Sequence, residues 1–344
     1  MRSLAHLAII AIACTNGSTG PSDTGVRTWG HVKILAADDM EGRRTGSAGH
    51  RRAAEYVAAQ FRRAGLDPGG SAGFLERVDL VERRIDEARS SLTLVQDGAI
   101  RPLTLGEDAI FNLRGKPAPA LEAPLVFAGY GLRIPSHGVD DLQGLDLKGK
   151  VVVAFLAAPT DVPGAVQAHF GSPGERWKTY RAAGAVGVAF IPNPFSMDLP
   201  WKRVALTRLE PYMALADPSF DEFRGQDVWV TVNPARAETF FEGSTTPYPA
   251  LLALLKDGKP LPRLDLRGKL RAAVTASSVP ISSDNVIGIL RGEDRLLRDE
   301  SVVVSAHLDH LGIGSSGGTD RIFNGAMDNA AGVAVLIETA ARLS

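Results

Sequence analysis

Two short motifs near the end of the chain contain residue types that bind metals. His307 and Asp309 directly follow the β-branched run 301–306, which predicts a buried parallel strand. Ligands in open α/β sheets lie just beyond the carboxyl ends of strands. Residues two apart in an extended chain share a face, so Asp309 can accept one ring N–H of His307 and leave the other nitrogen for a metal. Taken alone, such a pair is also typical of a structural contact.

The second motif, 323–332, reads FNGAMDNAAG and precedes a predicted helix. Its glycines, Gly325 and Gly332, allow tight turns and close packing. Asp328 lies at the entry to the helix, where its carboxylate can face a metal. A carboxylate can bridge two divalent ions about 3.5–4 Å apart, which then share an activated water. The alternative interpretation of Asp328 alone is a helix N-cap.

Helices and strands on both sides of these motifs must position them. Apolar residues recur with helical spacing over 50–64, ending at Gly65, and over 330–343, where they should pack on a sheet. Short runs over 91–95, 124–127, 150–155 and 186–191 predict strands, and 175–183 predicts a helix between two of them. Alternating strands and helices indicate the α/β class.

Composition excludes several kinds of protein. The chain has 44% hydrophobic and 22% charged residues, as a globular protein does, and Lys+Arg of 38 against Asp+Glu of 39 leaves a net charge of −1. We therefore expect no binding to nucleic acid or anionic membranes by charge alone. The single cysteine, Cys14, excludes a disulfide within this chain and a zinc site made of cysteines.

The first residues are typical of an export signal. Arg2 is followed by a short, mostly apolar stretch and an A-x-A cleavage pattern, so residues 1–13 are predicted as a signal sequence. The pattern also resembles a bacterial lipoprotein signal, which predicts lipidation at Cys14 and a flexible tether over 14–28. We expect an exported protein that is periplasmic, anchored in the membrane through Cys14, or secreted. The alternative is a buried N-terminal segment with an inert cysteine.

The two motifs together closely resemble those of the zinc aminopeptidases of peptidase family M28. Residues 34–65 look like the start of that family's domain, and 283–292 like the strand before its metal strand. The stretches 127–131, 140–141, 144–150 and 183–188 are similar to the protease-associated (PA) domain often inserted there. The resemblance implies a partial α/β/α zinc-peptidase sheet domain over 29–117 and 281–344, with a PA-type α/β insert over 118–280.

The resemblance also implies roles for individual residues. His307 would ligate one zinc ion, Asp328 would bridge two zinc ions, and Asp309 would act in catalysis by orienting His307. The Asp328–Asn329 peptide would be cis. His310 receives no ligand role and is predicted to be structural or solvent-facing.

The function implied is that of a zinc-dependent exopeptidase that removes N-terminal residues from peptides. In such an enzyme the zinc ions would bind the amino end and the scissile carbonyl and lower the pKa of a bridging water. The peptide substrate would be the partner, with no nucleic acid and with membrane contact only through Cys14.

The expected ligand set is incomplete. The family also needs a Glu-Glu pair, an Asp and a His beyond the bridging aspartate, whereas the only acid after Asp328 is Glu338, predicted as a surface charge of the last helix. A catalytic zinc wants three protein ligands. We therefore expect a C-terminally truncated chain that is inactive as it stands. The alternatives are a degenerate, non-catalytic binding lipoprotein of the same fold, and the related zinc carboxypeptidases or glutaminyl cyclases.

Overall fold

A computed structural model describes residues 23–297, 299–314 and 319–344. The predicted signal sequence 1–13 and the predicted lipidation at Cys14 lie outside the described residues. The α-helices are α1 Asp23–Leu35, α2 Ala48–Arg63, α3 Gly164–Phe170, α4 Pro173–Ala182, α5 Trp201–Val204, α6 Tyr248–Lys256 and α7 Ala331–Leu343. Among the described residues, no helix is both long and apolar enough to cross a membrane.

The strands are β1 Asp67–Pro68, β2 Leu75–Ile85, β3 Ser91–Gln96, β4 Ala99–Leu103, β5 Ala109–Phe111, β6 Ala120–Phe127, β7 Arg133–Ile134, β8 Val139–Asp140, β9 Val151–Leu156, β10 Gly187–Pro192, β11 Tyr212–Leu215, β12 Val228–Val232, β13 Leu264–Ala273, β14 Ala276–Val286, β15 Gly288–Ile289, β16 Gly312–Ile313 and β17 Ile322–Phe323. The α/β class predicted from the sequence is confirmed.

A mixed eight-stranded sheet forms the larger part of the molecule, in the order β4-β3-β13-β6-β9-β10-β12-β5. The four strands from β6 to β12 run parallel, and the others pair antiparallel. Strand β9, with the sequence VVVAFL, lies in the middle of this sheet. Val151 and Val153 lie in the core on one face, and Val152 and Ala154 lie in the core on the other. A strand covered on both faces needs an unbroken apolar run.

Strands on both sides of residue 118 belong to this sheet. Strand β13 pairs with β3 along one edge and with β6 along the other, so β3, β4 and β5 join strands from the predicted insert. The pairing therefore marks no boundary at 118, and the PA-type insert over 118–280 stays a prediction.

Helices α1, α2 and α7 form a second, smaller core that supports the two motifs. Val32 and Leu35 of α1 pack with Val57 of α2 and with Val333 and Ile337 of α7. The predicted helices 50–64 and 330–343 are confirmed as α2 and α7, and the packing against a sheet expected for α7 is replaced by packing against helices. The antiparallel pair β2 and β14 links this layer to the large sheet, with Leu75 opposite Val286 and Ile85 opposite Ala276.

Two segments differ from the sequence prediction. The run 301–306, predicted as a buried strand, is irregular, and its first five residues are exposed, with Val302 94% exposed. A strand forms only where a neighbour satisfies its backbone groups, and within the described ranges no strand pairs with 301–306. Helix α1 begins at Asp23, inside the predicted tether 14–28. Its apolar residues Val32 and Leu35 find partners on α2 and α7, which stabilise the helix.

Candidate metal site

The side chains of the segment 306–309 alternate between the core and the candidate site. Ala306 and Leu308 pack against the helical core. His307 and Asp309 project to the other side, where the Nδ1 atom of His307 lies 3.5 Å from Oδ1 of Asp309 and 3.1 Å from the Asp309 carbonyl oxygen. The structure therefore brings this predicted pair together through the alternation of an extended chain.

Asp328 lies in a tight turn, Ala326–Ala330, that leads into α7. The Asp328–Asn329 peptide bond is cis, as the resemblance implies. Asp328 does not cap the helix. The side chain that bonds to the first turn of α7 is that of Asn329, whose Oδ1 accepts from the N–H of Gly332 at 3.1 Å. The Asp328 carboxylate is left exposed and available to the site.

The two motifs meet where His307 faces Asp328. The Nε2 atom of His307 lies 3.1 Å from Oδ1 of Asp328. The Asp309 carbonyl can only accept a hydrogen bond, so Nδ1 of His307 is the donor in that bond, and in the neutral ring the lone pair of Nε2 then faces the Asp328 carboxylate. Two acceptors this close need a proton or a cation between them.

The pair fits zinc in both chemistry and spacing. Imidazole nitrogen and carboxylate oxygen are zinc ligands, and two ligands about 2.0–2.1 Å from one tetrahedral ion lie about 3.3 Å apart. The number of ligands is short of a full site. Within the described residues, no three His, Cys, Asp or Glu side chains are arranged so that they could hold one metal ion.

His310, predicted to be structural or solvent-facing, also reaches Asp328. Its Nδ1 atom lies 3.6 Å from Oδ2 of Asp328, and its side chain is 15% exposed. Burial lowers the pKa of His310, and the Asp328 carboxylate acts in the opposite direction. The carboxylate of Asp328 thus has one imidazole against each of its oxygens.

Two further residues at the site have no signal in motif spacing, because they come from the other end of the chain. Thr45 donates from Oγ1 to Oδ2 of Asp309 at 2.7 Å. Arg43, which is fully buried, donates to the carbonyls of Leu308 and Gly325. The only local sign is the stretch EGRRTG, whose Gly42 and Gly46 both have positive φ.

The prediction that Glu338 is a surface charge is wrong. Its carboxylate is buried against α1, 2.9 Å from Nη2 of Arg27 and 3.4 Å from Nε2 of His31. The hydrogen bond from Arg27 lowers the pKa of Glu338. A carboxylate faces the core of a helical layer when a neighbouring helix supplies the charge and the hydrogen bonds that burial demands. Glu338 therefore joins α7 to α1 and takes no part in the site.

The α/β fold and the facing His307 and Asp328 donors describe a protein with a candidate metal site. Residues 285–344 match the model of a family described as Peptidase family M28. This segment contains both motifs, so the resemblance predicted from the sequence is confirmed there. A search among curated proteins gives no match.

Two solved structures are similar to the chain. One is an aminopeptidase from Aneurinibacillus sp. strain AM-1, with 18% identity and a TM-score of 0.44. The other is a zinc aminopeptidase from Bacillus subtilis, with 18% identity and a TM-score of 0.38. The similarity covers 93% and 92% of this chain and 59% and 57% of those chains. This chain thus spans less than two thirds of their length.

Proposed function

We propose that the chain carries part of the active site of a zinc-dependent aminopeptidase, which hydrolyses N-terminal residues from peptides. The observation that supports this most directly is the 3.1 Å contact between Nε2 of His307 and Oδ1 of Asp328. It joins the two predicted zinc ligands inside the segment that matches the M28 model.

In this proposal each residue has a role that follows from its contacts. His307 offers Nε2 to the ion because its Nδ1 atom donates to the Asp309 carbonyl, with the Asp309 carboxylate 3.5 Å away. Asp328 offers a carboxylate whose two oxygens could each meet an ion. Zinc, when bound, would lower the pKa of a coordinated water.

Zinc binding is the first test. Competition against a chromophoric zinc chelator would compare the wild type with His307→Ala and Asp328→Asn, using His137→Ala as the control. His137 is exposed and lies next to Ser136, its hydrogen-bond partner, in a short turn outside the M28 segment. We expect the two site variants to lose zinc affinity and the control to keep it. Equal affinity in all four proteins would contradict the assignment of the ligands.

Peptide hydrolysis is the second test, carried out on the protein as its gene encodes it. An aminoacyl anilide with a free amino end should be cleaved, its N-acetylated form should not, and a metal chelator should stop the reaction. Chelator-sensitive activity that survives in His307→Ala would show that His307 is not a ligand. Stoichiometric zinc without cleavage of any free amino end would favour the non-catalytic alternative.

Export and lipidation at Cys14 complete the proposal. The support is the apolar stretch before Cys14 and the A-x-A pattern. Fractionation of cells that produce the wild type and Cys14→Ala would test it, since loss of the anchor should move the protein from the membrane to the soluble exported fraction. Identical fractions would remove the anchor from the proposal.

A further inference from the structure

Arg43 is a buried guanidinium that contacts both motifs. Its Nε atom donates to the carbonyl of Leu308 at 2.9 Å, next to His307. Its Nη1 atom donates to the carbonyl of Asn324 at 2.7 Å, and Nη2 to that of Gly325 at 2.9 Å, in the turn before Asp328. Nη1 also donates to the carbonyl of Leu35, at the end of α1.

We propose that Arg43 is a positioning residue for the candidate zinc site, because its guanidinium joins the segment that carries His307 to the turn that carries Asp328. The inference rests on the proposed function. The planar guanidinium presents five donors in a fixed fork, so several carbonyls bound to it are held at set distances from one another. A lysine ammonium has the same charge but lacks this geometry.

The backbone around Arg43 is arranged to bring the side chain inward. Glu41, Gly42 and Arg43 have φ values of 51°, 62° and 52°, a left-handed run that side-chain-bearing residues rarely adopt. Strained backbone persists where the surroundings hold it in place, and it concentrates at functional sites. Here the Arg43 carbonyl accepts from the N–H of His310 at 3.2 Å, which ties the same turn to the first motif a second time.

Close packing on the second motif supports the same conclusion. A Cβ atom on Gly325 would lie 2.7 Å from Nη2 of Arg43 and 2.7 Å from Cδ2 of His310. The nearest atom to that Cβ would be the carbonyl oxygen of Asp328, at 2.5 Å, so glycine is needed both for the turn itself and for the guanidinium to lie directly on it. Burial lowers the pKa of Arg43, while the carboxylates of Asp309 and Asp328 act in the opposite direction, as expected of a cation that faces the acidic site.

The chain contains a matched control for this arginine. Arg176 is also buried and donates from Nε to the carbonyl of Gly171 at 3.0 Å and from Nη2 to that of Ala157 at 3.1 Å. Its Nη1 atom donates to the carbonyl of Tyr130. These partners all lie in the part of the chain that forms the large sheet, so Arg176→Lys disturbs a comparable cluster of carbonyls away from the candidate site.

The test compares zinc affinity in the wild type, Arg43→Lys, Arg176→Lys and His307→Ala. We expect Arg43→Lys to weaken zinc binding about 10- to 100-fold, the usual effect of losing a group that orients metal ligands. Arg176→Lys should leave it unchanged, even where urea denaturation shows an equal loss of stability. Unchanged zinc affinity in Arg43→Lys, with affinity lost in His307→Ala, would overturn this inference alone. No zinc binding by the wild type, or equal binding by His307→Ala, would overturn the proposed function and this inference with it.

A measurement on the wild type decides the case in which Arg43→Lys does not fold. In protein labelled with ¹⁵N-arginine, zinc should shift the Nε signal of Arg43 and leave that of Arg176 in place. A zinc titration that occupies His307 without moving the Arg43 signal would contradict the positioning role.

Discussion

Replacing Gly42 with alanine tests whether the turn at 41–43 lies directly on the loop between the two motifs. Gly42 has φ +62°, and a Cβ atom added there would lie 2.5 Å from the carbonyl oxygen of Phe323 and 2.6 Å from that of Gly312. Both neighbours are backbone atoms, so neither can move aside by changing a side-chain rotamer. The strands β16 and β17, which contain these residues, must shift or open.

The expected cost has two parts. Alanine in a left-handed conformation costs about 1–2 kcal/mol, and forcing extra atoms into a close-packed region costs about 1–3 kcal/mol. Gly42→Ala should therefore lower the free energy of unfolding by about 2–5 kcal/mol. Gly65 supplies the control, because its φ is +74° and an added Cβ would meet no atom within 4 Å. Gly65→Ala should show only the first part.

Urea denaturation measures both variants, and amide hydrogen exchange locates the damage. The N–H of Gly314, bonded to the carbonyl of Arg321 at 2.9 Å, and the N–H of His310, bonded to that of Arg43, should exchange faster in Gly42→Ala than in Gly65→Ala. Equal losses of stability and equal exchange in the two variants would refute the packing of the turn on this loop. The turn at 41–43 would then not hold Arg43 against the two motifs.

Three further predictions concern parts of the molecule outside the candidate site. Arg27 lowers the pKa of Glu338, so the ionised carboxylate stabilises the fold above its unfolded-state pKa of about 4.3, and this stability is lost as the pH falls through the lower folded-state pKa. Glu338→Gln should remove that part of the pH dependence of the free energy of unfolding, measured by urea titration. An unchanged pH profile would contradict the pairing of Glu338 with Arg27. Tyr180→Phe should cost about 1–3 kcal/mol in the same assay, since it leaves the buried Gly131 carbonyl without the hydroxyl that donates to it at 2.7 Å; a loss of zero would show that another donor replaces it. Val302→Lys should change the free energy of unfolding by less than about 0.5 kcal/mol, because Val302 is exposed. Val152→Lys in β9, at 0% exposure, should prevent folding. If Val302→Lys also failed to fold, the prediction of a buried strand over 301–306 would be supported instead.

The sequence predicted best where a pattern acts locally. Helix α2 was predicted over 50–64 and spans Ala48–Arg63, because its apolar spacing and the following Gly65 both act within one or two turns. The VVVAFL strand was predicted for the same reason, since its apolar run needs cover on both faces. The His307–Asp309 pair also follows from local geometry, the alternation of an extended chain.

The buried charged residues could not be predicted from the sequence, because their burial depends on partners far along the chain. Arg27 and Glu338 are 311 residues apart, and Arg43 and Leu308 are 265 apart. On its own helix, Glu338 has the spacing of an exposed charge, and only α1 lying across α7 makes its position a buried one. The prediction of a strand over 301–306 was wrong for the converse reason. Its β propensity describes a fit to neighbouring strands, and within the described residues no strand lies beside it.

The candidate site therefore depends on contacts between distant parts of the chain, which the motifs alone do not predict. Both candidate metal-binding motifs come from the last forty residues, while Arg43 and Thr45, which contact them, come from the start of the described chain. Arg43 also donates to the carbonyl of Leu35 at the end of α1, so its contacts join both motifs to the helical layer of α1, α2 and α7. We therefore expect the packing of that layer to affect the distance between His307 and Asp328, and substitutions in its core to weaken zinc binding even where they touch neither residue. For this reason the zinc affinities of the site variants need comparison with a control such as Arg176→Lys, which should lower stability in the other part of the molecule.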